Sequence, residues 1–323
     1  MKFKITALFI TISILWGCNN EIELNAPYRN IAVVYSFLDQ NEPLQILRVQ
    51  KAFQNDKGVT VVDAARNADS LYFDTLVVTL KNLATNIVYN CVAVDTISRD
   101  SGFFGTQKNI NYVVALPKNA NIADEEYELT ILNPLTRETY KSRTKIVKDA
   151  EIEGRTIFLN LDPRSFIPFR FIQGRNAIIH DCAIRFEYSE TDLITGVTED
   201  KSLEFFIVKN QEINNQGALV DFRVQALTLI NFWKSQIPEN PNKQRRYKAY
   251  RYIVYGGGAD FKILLDLAKP NTGIVQKKPE FSNIEGGLGI FTSRNRVVSD
   301  TALVGLSNTS IDLLVQELPN FVR

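Results

Sequence analysis

The chain has 323 residues, 45% of them apolar and 23% charged, which is ordinary for a globular protein and long enough for two domains of roughly 100–200 residues. With 37 Lys and Arg against 36 Asp and Glu, no global field draws in nucleic acid or an acidic membrane surface. A single histidine excludes His-rich metal sites and any chemistry that needs two imidazoles, so no metal centre is expected.

Residues 1–18 (MKFKITALFITISILWGC) carry Lys2 and Lys4, then an apolar run over 5–17, then Cys18. That run is too short to cross a hydrocarbon core of roughly 30 Å, which takes about 20 residues, so it predicts an export signal. Leu15-Trp16-Gly17-Cys18 resembles the bacterial lipobox, in which the cysteine thiol is acylated and becomes the first residue of the mature chain. Cys18 is therefore the expected lipidation residue. No second apolar stretch approaches spanning length, so membrane attachment falls to the acyl chains on Cys18, two or more of which anchor stably. Residues 19–29 are polar and read as a tether. Glu21 and Glu23 within it resemble the surface-export signal of Bacteroidota lipoproteins, or else simply solvate the linker.

Over 30–148 the segments 31–38, 44–52, 74–80, 86–96, 111–116, 126–132 and 138–147 read as strands separated by turn residues. Strands at this spacing, with few helical periods, predict an immunoglobulin-like β-sandwich. Residues 56–70 break the pattern as a long excursion, with room for one helical turn over 62–68.

Residues 149–323 begin with strands over 152–161 and 166–172, where Pro163 and Pro168 argue for edge or bulged positions. The clearest strand is 178–189, with His180, Cys182, Ile184, Phe186 and Tyr188 on one face and Asp181, Arg185 and Glu187 on the other. A further strand follows over 203–209. Over 220–237 the period changes: Phe222, Ala226, Leu229, Ile230 and Trp233 stand at helical spacing, ending before Pro238. A strand over 247–255, a helix over 260–268, a strand–turn–strand over 281–293 and a last helix over 311–318, capped by Ser310, complete the chain. The fold class expected is mainly β with an α+β second half: the sandwich, then an antiparallel β domain with two or three short helices.

Few residues suggest chemistry. His180, on an apolar strand face, reads as a core histidine with a hydrogen-bond partner, since no Gly-x-Ser-x-Gly elbow is present to pair it with a serine. Glu187 with Glu190, and Glu151 with Glu153, could be imagined as hydrolytic pairs, but same-face carboxylates on strands are usually solvated charge. No catalytic residue is assigned. Gly256-Gly257-Gly258 lacks the spacing of a P-loop or a dinucleotide site, so no cofactor is expected. The run 245–252 (RRYKAYRY) interleaves cations with aromatics as nucleic-acid surfaces do. The export signal argues against nucleic acid, and strand cations near a sheet edge block edge-to-edge pairing. Phe103 and Phe104 follow a turn and are candidate binding residues at a loop tip, or else close the end of the sandwich. Cys91 and Cys182 either pair in an oxidising envelope or pack as small hydrophobes. Gly286, Gly287 and Gly289 form a structural turn, where positive φ allows a sharp reversal.

Three stretches belong together: KPEFSNIEGGLGIFTSR at 278–294, VVYSFLD at 33–39 with ILRVQKAF at 46–53, and IRFEYSE at 184–190. With the lipobox they resemble a family of Bacteroidota lipoproteins of unknown function, marked near the C-terminus by an SNIEGGLGIF-type motif. The resemblance brings no catalytic residue. It implies a β-rich protein lipid-anchored in the cell outer membrane, facing the periplasm or, as Glu21 and Glu23 favour, the cell surface, and working beside outer-membrane transporters. The expectation is a non-enzymatic lipoprotein that binds or scaffolds an envelope partner. Two alternatives stand beside it: an accessory lipoprotein of TonB-dependent uptake that captures glycan or peptide, and an adhesin-like surface subunit.

Overall fold

The structure, a computed structural model, describes residues 31–52, 61–97, 108–118, 125–153, 157–213, 217–268, 281–300 and 304–323. Residues 31–323 form one compact unit. Its first strands and helices are β1 (Ala32–Leu38), β2 (Gln45–Lys51), α1 (Val61–Arg66), α2 (Ala68–Leu71), β3 (Val77–Asn82), β4 (Val88–Asn90), β5 (Val92–Val94) and β6 (Asn111–Val114). Then come β7 (Glu126–Leu132), β8 (Thr139–Lys145), β9 (Glu151–Ile152), β10 (Ile157–Leu159), β11 (Phe166–Ile172), β12 (Ile179–Asp192) and β13 (Thr198–Glu212). The rest are β14 (Leu219–Gln225), α3 (Ala226–Gln236), β15 (Lys243–Gly257), α4 (Ala259–Ala268), β16 (Leu288–Val298), β17 (Val304–Leu306), α5 (Asn308–Glu317) and β18 (Phe321–Val322).

The fold is mainly β, in several sheets. The largest has nine strands in the order β13-β12-β15-β16-β1-β2-β6-β5, with β18 added beside β15. A four-stranded sheet runs β4-β3-β7-β8, a three-stranded one β14-β11-β9, and β10 pairs with β17. Most pairing is antiparallel; β1–β16, β10–β17 and β15–β18 are parallel, and the first of these joins the two ends of the unit.

Two apolar cores follow from the alternation of the strands. One gathers Val34, Leu47, Val49, Leu80, Tyr127, Leu129 and Ile131, from both the nine-stranded and the four-stranded sheet. The other gathers Phe169, Phe171, Ile184, Phe186, Trp233, Tyr250 and Tyr252, with Phe186 stacked on Trp233 at 4.5 Å between ring centroids. They lie on either side of the division expected at 148/149, except that Ile284 and Phe291, from the far side, belong to the first core. Cys91 packs against the first core and Cys182 sits inside the second. Both thiols are free, and burial pushes each up to about 12.

Two segments differ from expectation. Residues 219–225 are strand, not the start of a helix: β14 pairs with β11 along its whole length, and α3 begins only at Ala226. Phe222 fits both periods, and the available partner strand decides between them. Ser310 does not cap the last helix. Ser307 does, accepting from the Ser310 N–H at 3.1 Å, while the Ser310 hydroxyl donates to the Leu159 carbonyl at 2.7 Å.

Three hairpins use one turn. In Asn82-Leu83-Ala84-Thr85-Asn86-Ile87, Asn133-Pro134-Leu135-Thr136-Arg137-Glu138 and Asp192-Leu193-Ile194-Thr195-Gly196-Val197, the first side chain accepts from the N–H groups two and three residues on. The fifth residue has positive φ: +60° at Asn86, +62° at Arg137 and +73° at Gly196. Such side-chain capping supplies partners for turn N–H groups that no strand reaches. At Asn82 the same side chain also donates to buried Glu125 at 2.8 Å, a carboxylate shared with Lys148 at 2.7 Å and the Tyr127 hydroxyl at 3.0 Å. Asn82→Ala should therefore cost about 2 kcal/mol in chemical denaturation, more than a single turn bond would.

Candidate functional site

Along 243–257 strand β15 pairs with β12, but on its other side it meets β18 only at Arg245 and Arg246 and β16 only from Ile253 to Gly257, so among the described residues 247–251 is paired on one side. Its charges are matched across strands: Arg245 to Glu190 at 2.8 Å, Arg251 to Glu187 at 2.8 Å and Lys248 to Asp200 at 2.6 Å. Arg185 of β12 bonds Glu204 of β13 at 2.9 Å in the same way. The alternate residues Tyr250 and Tyr252 fill the second core. The sheet ends in β13 on one side and β5 on the other, and β13 is blunted as an edge by Lys201, Lys209 and the register shifts opposite Cys182. Glu187 and Glu190 are thus held in ion pairs, and Glu153 lies 3.6 Å from Arg170.

His180 is 1% exposed and packs against Phe171, with 5.7 Å between ring centroids. Contrary to expectation, neither ring nitrogen has a hydrogen-bond partner among the described residues. Burial lowers its pKa to about 4, outweighing the pull of neighbouring Asp181. Its ring lies on the side of Ala177 and Val147, because His180 pairs with Gly256, whose missing Cβ would meet those two side chains.

The opposite face of the same strands carries a groove of about 370 Å³, within the range of small-ligand sites. The registers place Arg294, Gly257, Ile179 and Glu212 in one row across β16, β15, β12 and β13, and Arg296, Tyr255 and Asp181 in the next. Helix α4 lies over the first row. It can approach because Gly257 has no Cβ; one there would stand 2.3 Å from the Phe261 ring. Lys262 ties the helix to Glu212 at 3.3 Å, and Phe261 meets Phe37 edge-on at 5.6 Å. The walls are Phe261 and Leu265 on one side, Tyr255 and Phe206 stacked on the other. Where β13 bulges, Asn210 takes positive φ and its N–H donates to the Asp181 carboxylate at 2.6 Å, which fixes that acid at the groove.

Between the two cores a polar groove of about 610 Å³ lies beside a dense network. Asp149 accepts from Asn41 at 2.6 Å, Asn295 at 2.7 Å and Lys118 at 2.7 Å. Burial alone would raise its pKa, but these donors and Gln40 bring it down to about 2. The network joins the β1–β2 turn, the connection after β8 and β16, and is consumed in doing so.

Of the residues expected to matter, Cys18, Phe103 and Phe104 lie outside the described residues. Gly286 and Gly289 have φ of +75° and +101°. Gly287 does not need positive φ; it is required by close approach, since a Cβ would lie 2.7 Å from the Ala32 carbonyl oxygen. The groove residues Asp181, Tyr255, Phe261 and Arg294 escaped sequence reasoning as a group. Among the described residues no group of His, Cys, Asp and Glu could hold a metal ion, and no helix is long and apolar enough to cross a membrane.

No protein-family model and no curated protein sequence matches the chain. A solved structure described as "Cytokine receptor complex - Crystal form 1A" is similar over 86% of this chain and 99% of its own, at 8% identity and a TM-score of 0.24.

Proposed function

We propose that the chain is a non-enzymatic outer-membrane lipoprotein, anchored through Cys18, that binds or scaffolds a partner in the cell envelope. The observation that supports this most directly is the groove beside α4, whose walls come from packed strands and a tied helix, giving a preformed surface for recognition. The sheets around the first core fit an immunoglobulin-like sandwich in this reading, and the second half fits an α+β domain that carries the site. A role beside a TonB-dependent transporter is the second reading, favoured by the groove's small-ligand size.

Replacing Cys18 with serine should release the protein from the membrane fraction of intact cells; retention there would remove the anchor from the proposal. A photo-crosslinking residue at Arg296, on the rim of the groove, should capture an envelope component in cells carrying the anchored protein. An empty crosslink from that position, alongside normal membrane association, would leave the anchor standing and remove the binding role.

A further inference from the structure

We infer that the groove beside α4 binds a carboxylate carried on an apolar body. This deepens the binding role just proposed and rests on it.

Three cations border the groove without a carboxylate partner among the described residues: Lys209, whose Nζ lies 4.2 Å from the Phe206 ring centroid, Arg296, 5.7 Å from that of Tyr255, and Arg294, 5.7 Å from that of Phe37. On the same sheet Arg185, Lys243, Arg245, Lys248 and Arg251 each have an acid within reach. Of the neighbouring acids, Glu204 is held by Arg185 and Glu212 by Lys262. Asp181 accepts from the Asn210 N–H, a neutral donor that does not cancel its charge, and the Asp39 carboxyl feels the charge of Arg294. Three cations against these two acids still leave the rim positive.

Arg294 and Arg296 stand two apart on one face of β16, roughly 7 Å between Cα atoms, with their guanidinium groups over rings of the strands on either side, Phe37 of β1 and Tyr255 of β15, so an anion seated over β16 lies between them. A planar guanidinium matches a carboxylate with two parallel hydrogen bonds, and an aromatic face behind it orients the fork. The lining also carries an apolar wall, Ile179, Phe206, Phe261 and Leu265, beside the polar groups of Asp181, Asn210, Tyr255 and Asn295. The apolar wall gains from covering an acyl chain or an aromatic ring, while the arginines at the rim meet the acid. Acyl chains with a carboxylate and peptide chains ending in an apolar residue share this chemistry.

The test titrates the full-length protein with two matched pairs of probes: decanoate against decanol, and the peptide Ala-Ala-Phe against its C-terminal amide. At least tenfold tighter binding of the acid than of its neutral counterpart is expected in one pair, and that pair identifies the source. Arg294→Gln and Arg296→Gln, each melting with the parent protein, should reduce the preference to less than threefold, and Arg294→Lys should restore it only in part. Equal affinity for acid and neutral probe in both pairs, or no binding in either, overturns the inference. The binding role itself falls only if the cellular crosslink at the rim is also empty.

Discussion

Gly289→Ala should destabilise the fold by about 3 kcal/mol in chemical denaturation, the sum of backbone strain and a forced displacement. At φ +101° an L side chain is strained whatever the space around it, and here there is none. A Cβ would fall 2.0 Å from the Val34 carbonyl oxygen, within the parallel register that matches Val34 to Gly289. The side chain cannot turn away, because the obstacle is backbone of the paired strand. Gly286→Ala is the informative control. It shares the positive φ, +75°, but its Cβ would meet nothing nearer than 3.6 Å, so about 1 kcal/mol of conformational strain is expected. Equal losses at the two positions would mean that the close approach of β16 to β1 is not what glycine serves.

Acid should weaken the protein through His180. Its ordinary pKa of 6.5 falls to about 4 on folding. Between those values the unfolded chain holds a proton that the folded chain refuses, so stability is complete above 6.5 and declines as pH drops towards 4. The window corresponds to about 3 kcal/mol. Since this is the only histidine, its ring protons give an uncrowded NMR titration, with a midpoint expected near 4. His180→Leu removes both the titration and two buried nitrogens that lack partners among the described residues, so it should flatten the decline without loss at neutral pH. Parallel stability profiles for parent and variant across pH 4–6.5 would contradict this origin.

Much of the strand layout was legible because alternation is a local signal. Residues 126–132 and 166–172 are strands with the bounds expected from the sequence, and the face of 178–189 that carries Cys182, Ile184 and Phe186 does enter a core. Residues 220–225 misled because helical spacing was read through Phe222 when the pairing of β14 with β11 lay far away in sequence. The ion pairs of 245–252 were hidden for a related reason: Glu187, Glu190 and Asp200 become partners of these cations only once β12 and β13 fold beside β15. The shared hairpin turn could have been found: Asn or Asp, a threonine three residues later, then a residue able to take positive φ. The groove could not, since its walls come from residues 179, 181, 206, 255, 261 and 294, joined by a bulge and by the absence of a Cβ at Gly257.

The parallel seam between β1 and β16 also sets a timetable. Val33 waits for Leu288 and Leu38 for Ser293, about 255 residues further along the chain, and Phe291 must arrive before the first core is filled. As the chain emerges from a ribosome or a translocon, its opening half can form hairpins but cannot close. Contacts of such long sequence separation make folding slow and leave strand edges open in the interval. A fragment ending near residue 148 would keep that opening permanently, so the first core is a late product of the whole chain.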